Sequence, residues 1–159
     1  MKDSSNIFKV WGTRNRILLT DTCEIDYLKL KANTYCSQHT HENKINLFYV
    51  LKGKVRIESE FGKVVLQKGQ GFEVSPPLKH RFVVLVDSEM VEIAFVNKGK
   101  IDANDIKREK QGGRIIKGKY IGIPELRKQG YLELDNTDSQ PSTEGKPTII
   151  KLGEQKDVN

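Results

Sequence analysis

Cys36-Ser37-Gln38-His39-Thr40-His41 is the stretch on which the reading of this chain turns. In an extended strand, side chains alternate between two faces, so His39 and His41 point the same way. Two imidazoles on one face can hold a single metal ion, and a third ligand must then come from another strand. The sequence contains 3 histidines. The remaining one, His80, ends the stretch Gly69-Gln70-Gly71-Phe72-Glu73-Val74-Ser75-Pro76-Pro77-Leu78-Lys79-His80. Pro76-Pro77 makes a turn before it, and Arg81-Phe82-Val83 continues as a strand behind it. Neutral imidazoles suit a divalent transition metal such as Fe, Zn, Mn or Ni. Three ligands on one side leave positions open for water or substrate, as at catalytic metal sites.

The surroundings of these histidines read as strands. Glu24 to Lys31 alternates with a period of two, as does Lys54 to Glu60. Leu47 to Leu51, Lys63 to Gln67, Gly71 to Val74, Arg81 to Val86 and Met90 to Val96 are short apolar or alternating runs. Turns separate them at Asn33, Gly53, Phe61-Gly62, Lys68 to Gly71 and Asp87-Ser88. Asn33 is a non-glycine residue that tolerates positive φ. With Ile7 to Trp11 and Arg16 to Thr20 added, about nine short strands precede residue 100, the pattern of a β-sandwich or barrel. Long helical patterns are absent there, which argues against a parallel βαβ architecture.

After Asn97 the character changes. Asp102 to Lys110 suits a short helix capped by Asp102 or Asn104 and ended by Gly112-Gly113. Ile123 to Gly130 suits a second helical turn with Pro124 near its start. Residues 135–147 are polar and rich in turn formers, the composition of a linker. Thr148 to Leu152 could return as an edge strand. The chain therefore divides into a barrel over residues 1–100, a basic extension with short helices over 101–134, and a flexible tail over 135–159.

At 159 residues the chain suits one domain with one core. No run approaches the ~18 apolar residues of a membrane helix, and Met1 to Asn6 lacks a signal-peptide core. A soluble, cytoplasmic protein is expected. The 2 cysteines, Cys23 and Cys36, make no disulfide framework, although Cys36 lies near enough to His39 in sequence to approach the metal. The formal charge of +6 collects between Lys98 and Lys128. Such a surface attracts phosphorylated small molecules. No nucleic-acid-binding motif accompanies it, so nucleic acid is not the expected partner.

At these residues the sequence resembles the cupin superfamily, whose two motifs supply metal ligands from a β-barrel. On the first motif, Asn33 falls at the opening glycine, His39 and His41 match the histidines, and Asn46 stands where the glutamate belongs. Gly53 matches the closing glycine. On the second, Gly69 and His80 match, Ser75 and Pro77 replace a proline and a glycine, and Val84 replaces the final asparagine. The match runs from residue 25 to 97. It implies an all-β cupin (double-stranded β-helix, or jelly-roll) barrel with a metal held by His39, His41, His80 and Asn46. Asn46 would offer only a neutral amide oxygen where the family has a carboxylate, or would not coordinate at all.

Trp11-Gly12, Gln38 to His41, Tyr49 to Lys54, His80-Arg81-Phe82 and Asp105 to Arg108 also follow the order seen in type II mannose-6-phosphate isomerases. That resemblance implies an isomerase acting on a sugar or a phosphorylated sugar. A three-histidine Fe(II) dioxygenase and a non-catalytic ligand-binding or regulatory barrel are the alternatives. Glu73 is the candidate catalytic base. Alternation from His80 turns Arg81 toward the surface. Tyr27, Lys29 and Tyr35 are candidates for the barrel mouth. A homodimer is expected, with Ile7 to Trp11 or Thr148 to Leu152 covering a neighbour's sheet edge.

Overall fold

The computed structural model describes residues 6–131. Expectations for the tail over 135–159, including the Thr148 to Leu152 strand, lie outside the described residues. Eleven strands precede residue 100: β1 (Ile7–Lys9), β2 (Gly12–Leu19), β3 (Cys23–Leu30), β4 (Thr34–Tyr35), β5 (Gln38–Thr40), β6 (Ile45–Lys52), β7 (Lys54–Ser59), β8 (Gly62–Gln67), β9 (Gly71–Val74), β10 (His80–Val84) and β11 (Ser88–Phe95). Three more strands follow, β12 (Lys107–Lys110), β13 (Gly113–Ile116) and β14 (Lys119–Gly122), and then helix α1 (Ile123–Lys128). Every strand pairing is antiparallel.

The strands form two sheets. The first runs β1-β2-β3-β11-β6-β9. The second runs β12-β5-β10-β4-β13-β14, with β7 also paired to β10 and β8 to β7. Their inner faces enclose the core, where Leu28, Val50, Val55, Val84 and Met90 are fully buried. The period-two alternation of β3 and β6 is what fills it: Leu28, Leu30, Phe48 and Val50 face inward, and the residues between them face out. Asn33 turns with φ 60, as its residue type suggested. Gly53 turns with φ 86, and a Cβ there would strike Ser88, so no other residue fits that reversal.

One expected element is different. Asp102 to Lys110 is not a helix. Asp102 instead accepts the amide of Asn104 in a tight turn, and residues 107–110 form β12 against β5. The physical reason lies in the pattern. Lys107 to Lys110 is exposed at every position and has no apolar stripe to bury as a helix. The open edge of β5 offers those amides and carbonyls partners instead.

The helix expected near Pro124 is present as α1, with Ile123 and Leu126 buried in the core. Residues 107–122 are thus woven into the second sheet, and α1 closes on the same core. No helix among the described residues is long and apolar enough to cross a membrane.

Candidate metal centre

β5 carries His39, and His41 follows it on the same face. β10 starts at His80, which pairs directly with His39 across the sheet. The three imidazoles converge, with ring centroids 4.9 Å apart for His39 and His41, 4.6 Å for His39 and His80, and 5.6 Å for His41 and His80. One ligand atom from each lies within 4.8 Å of the others, and all three residues are buried.

The hydrogen bonds fix the tautomer. Nδ1 of His39 lies 2.9 Å from the Ser37 carbonyl oxygen, that of His41 2.5 Å from the Asp105 carbonyl, and that of His80 2.9 Å from the Leu78 carbonyl. A carbonyl only accepts, so each Nδ1 carries the proton and each Nε2 keeps its lone pair. His80 Nε2 is buried without a hydrogen-bond partner among the described residues. An unpaired buried nitrogen is costly in an empty core, and at a metal site it is a ligand.

The charge states agree. Burial holds His39 well below the usual imidazole range, and the neighbouring His80 and His41 add to it. Burial pushes His41 down to about 4 against the opposing bond to the Asp105 carbonyl, and burial lowers His80 as well. Three neutral imidazoles with unprotonated Nε2 atoms fit a divalent transition metal.

Asn46 reaches the cluster from β6. Its amide nitrogen lies 3.4 Å from His41 Nε2 and donates to Glu92 Oε1 at 3.0 Å, while its Oδ1 is buried and unpartnered among the described residues. Asn46 therefore stands beside the three imidazoles, with its amide nitrogen toward His41 and its Oδ1 without a partner among the described residues.

Glu73 is in a different place from the one expected. In the register of β6 and β9, Val74 pairs with Asn46 and shares its inward face. Glu73, one residue earlier, is exposed on the outer face and does not line the cavity. Tyr27 and Lys29 are also on the outer face of β3, whose inner positions are Glu24 and Asp26. Cys36 lines the cavity, but its sulfur accepts the Phe82 amide at 3.2 Å and lies 3.4 Å from the Ser37 carbonyl. Arg81 points away from the histidines, as alternation required. It pairs with Glu58 at 2.7 Å and stacks over the Tyr35 and Tyr120 rings.

Three carboxyl groups do reach the cavity, those of Glu24 and Asp26 from β3 and that of Glu92 from the inner face of β11, and Glu92 is the most perturbed. Burial, and then the negative charge of Asp26, raise it to about 7, while Arg14 and Lys44 pull the other way. Its signal was present in the sequence as a glutamate between the inward-facing Met90 and Ala94. Around it, Asp26 is held by Arg16 at 2.8 Å, and Glu24 faces Arg16 at 3.2 Å and Lys44 at 3.8 Å. A barrel interior that buries this many charges next to three imidazoles is built for binding or chemistry rather than packing alone. Trp11, Phe48 and Phe82 form the apolar wall, and Arg108 of β12 stands at the rim.

Comparison with known proteins agrees with this architecture. Residues 27–97 match the Cupin_2 family, described as a cupin domain. No curated protein sequence matches the chain at a significant level. Among solved structures, KdgF from Halomonas sp. aligns with a TM-score of 0.54 at 22% identity, over 62% of this chain and 94% of that one. Ectoine synthase from P. lautus aligns with a TM-score of 0.54 at 16% identity, over 70% of this chain and 85% of the other. An oxalate decarboxylase variant from Bacillus subtilis aligns with a TM-score of 0.57 at 16% identity, and this chain spans 30% of its length. Identities this low speak to the fold. With the barrel itself, the family match identifies residues 27–97 as a cupin domain.

Proposed function

We propose that this protein is a metal-dependent isomerase of a small, oxygen-rich substrate, a sugar or a sugar phosphate. The observation that carries the reading is Glu92, a carboxyl group titrating near 7 in the same cavity as three convergent imidazoles. An aldose and a ketose interconvert when a proton moves between adjacent carbons, and a group with that pKa can both take and return it near neutrality. A metal held by His39, His41 and His80 would polarise the carbonyl and its neighbouring hydroxyl. Asn46 holds the Glu92 carboxyl in place through its amide. Arg108 at the rim offers a fork suited to the phosphate of a phosphorylated substrate. The apolar wall of Trp11, Phe48 and Phe82 limits water around the reacting carbons. An address in the cytoplasm fits two cysteines that form no disulfide with each other.

The test is NMR in D2O on metal-loaded protein with a panel of hexoses and hexose phosphates. The reading expects interconversion of an isomer pair with deuterium entering at the carbon next to the carbonyl. No exchange with any member of the panel removes it. A second reading, an Fe(II) dioxygenase, draws on Asn46, which adds no charge to an all-imidazole donor set. Iron in the purified protein together with oxygen uptake would favour that reading, and a bound ligand recovered unchanged would favour a sensing barrel.

A further inference from the structure

Among the described residues, Lys44 is the only lysine that the fold buries, at 6% exposure. Its position follows from the loop between β5 and β6. The Asp105 carboxylate accepts the amides of Glu42, Asn43 and Lys44. That turn leaves Glu42 and Asn43 exposed and puts Lys44 in the cavity wall. A surface lysine stretches its ammonium into water, and burying the charge is costly unless a partner meets it. The partner here is a poor one. Glu24 Oε1 lies 3.8 Å from the Lys44 ammonium, beyond hydrogen-bond distance. Glu24 is held more closely by Arg16, at 3.2 Å. The Lys44 ammonium therefore lines the cavity with no hydrogen bond among the described residues.

We propose that Lys44 anchors a carboxylate of the substrate, so that the ligand of this cavity is a sugar acid. The sugar rests on the isomerase reading above, and the acid rests on Lys44. The charge of the cavity calls for an anion. Lys9, Arg14, Lys44 and Arg108 line it against the carboxyl groups of Glu24, Asp26 and Glu92. A divalent ion on three neutral imidazoles adds positive charge that its ligands do not cancel. An enclosed site with this excess draws in a negatively charged ligand, and a neutral one leaves the excess standing.

The kind of anion follows from the surroundings of Lys44. Its ammonium faces Glu24, and its charge acts on both His41 and Glu92. It is thus within electrostatic reach of the candidate metal ligands and of the candidate base. A carboxylate brings a single charge into this enclosed place and accepts the hydrogen bonds of the ammonium with a compact, planar group. A phosphate brings close to double the charge, and brings it beside the carboxyl groups of Glu24 and Glu92. The exposed fork of Arg108 at the rim is the better seat for a phosphate.

The experiment is calorimetric titration of the metal-loaded full-length protein with D-glucuronate, D-galacturonate and D-mannuronate, each beside its parent hexose and hexose 6-phosphate. One uronate or more should bind about tenfold more tightly than both of its relatives. Lys44→Met keeps an unbranched side chain without the charge, and it should erase that preference while circular dichroism and metal content stay as in the wild type. Lys44→Arg keeps the charge and should retain most of the preference. Lys44→Gln replaces Lys44→Met should the latter fail to fold. Uronates that bind no more tightly than their hexoses overturn the inference, as does a hexose 6-phosphate that binds best. A folded neutral variant that keeps the preference, or that weakens uronate and hexose alike, also overturns it. Deuterium exchange followed by NMR on the same samples separates the anchor from the reaction. A Lys44-dependent preference for uronate without exchange supports the anchor and removes the isomerase, whereas exchange on a hexose without any preference for uronate does the reverse.

Discussion

At the level of single residues, the candidate metal centre depends on which nitrogen of each imidazole is held. Asp105 does most for His41. Its carbonyl accepts a hydrogen bond from Nδ1–H, and its carboxylate accepts the amides of Glu42, Asn43 and Lys44 at 2.7, 3.0 and 2.9 Å. Asp105→Ala frees that turn, so metal affinity is expected to fall about 10- to 100-fold, measured by competition with a chelator.

Glu92 makes a second prediction. Its folded value of about 7 lies above its unfolded one. As pH rises from the unfolded value, the unfolded chain releases the proton first and stability falls, and the full cost is carried once the pH exceeds the folded value. In metal-free protein this amounts to up to about 3 kcal/mol between pH 5 and 8, and Glu92→Gln should abolish that slope in urea titrations. The histidines act in the opposite direction. Their values are depressed in the fold, so their contribution is lost as pH falls from the ordinary imidazole value through the folded ones. Acid also removes the lone pairs that a metal needs.

Legibility at this scale came down to the phase of each strand. His39 and His41 were readable because a spacing of two in a strand leaves one geometry. Glu73 and Glu92 both sit in strands the sequence suggested. Only the register of β9 on β6 reveals that Glu73 shares its face with Leu47 rather than with Asn46. Tyr27 and Lys29 were misplaced for the same reason, Tyr27 lying between the inward-facing Asp26 and Leu28 and Lys29 between Leu28 and Leu30.

Among the elements, β10 holds the site together. One of its edges pairs with both β4 and β5, and the other pairs with β7, so it fixes His80 against His39 from both sides. β12 was invisible in the sequence because an edge strand exposed at every position has no periodicity. It nevertheless brings Arg108 alongside His39. The segment beyond it is bound to the barrel by the Arg81 guanidinium between Tyr35 and Tyr120, by the Arg56 bond to the Tyr120 hydroxyl at 2.8 Å, and by α1. Leu126 in α1 is fully buried. Leu126→Ala should therefore cost about 2–5 kcal/mol in equilibrium unfolding. A loss within experimental error would mean that α1 is not part of the core.

For the molecule as a whole, two sheets share the work. The inner faces hold the three convergent histidines, the buried charges and the apolar core, and the outer faces meet solvent. The barrel was legible from turns spaced along alternating runs, whereas the pairing of the sheets depends on contacts distant in sequence that no local pattern encodes. The central claim is that His39, His41 and His80 together hold a divalent transition metal. Elemental analysis of protein purified without a histidine tag tests it most directly, on the wild type and on His80→Ala checked for folding by circular dichroism. The account predicts about one such ion per wild-type chain and near none in a folded His80→Ala variant. A wild-type protein that takes up no metal even when supplied with it, or a folded variant that keeps the wild-type content, would contradict it.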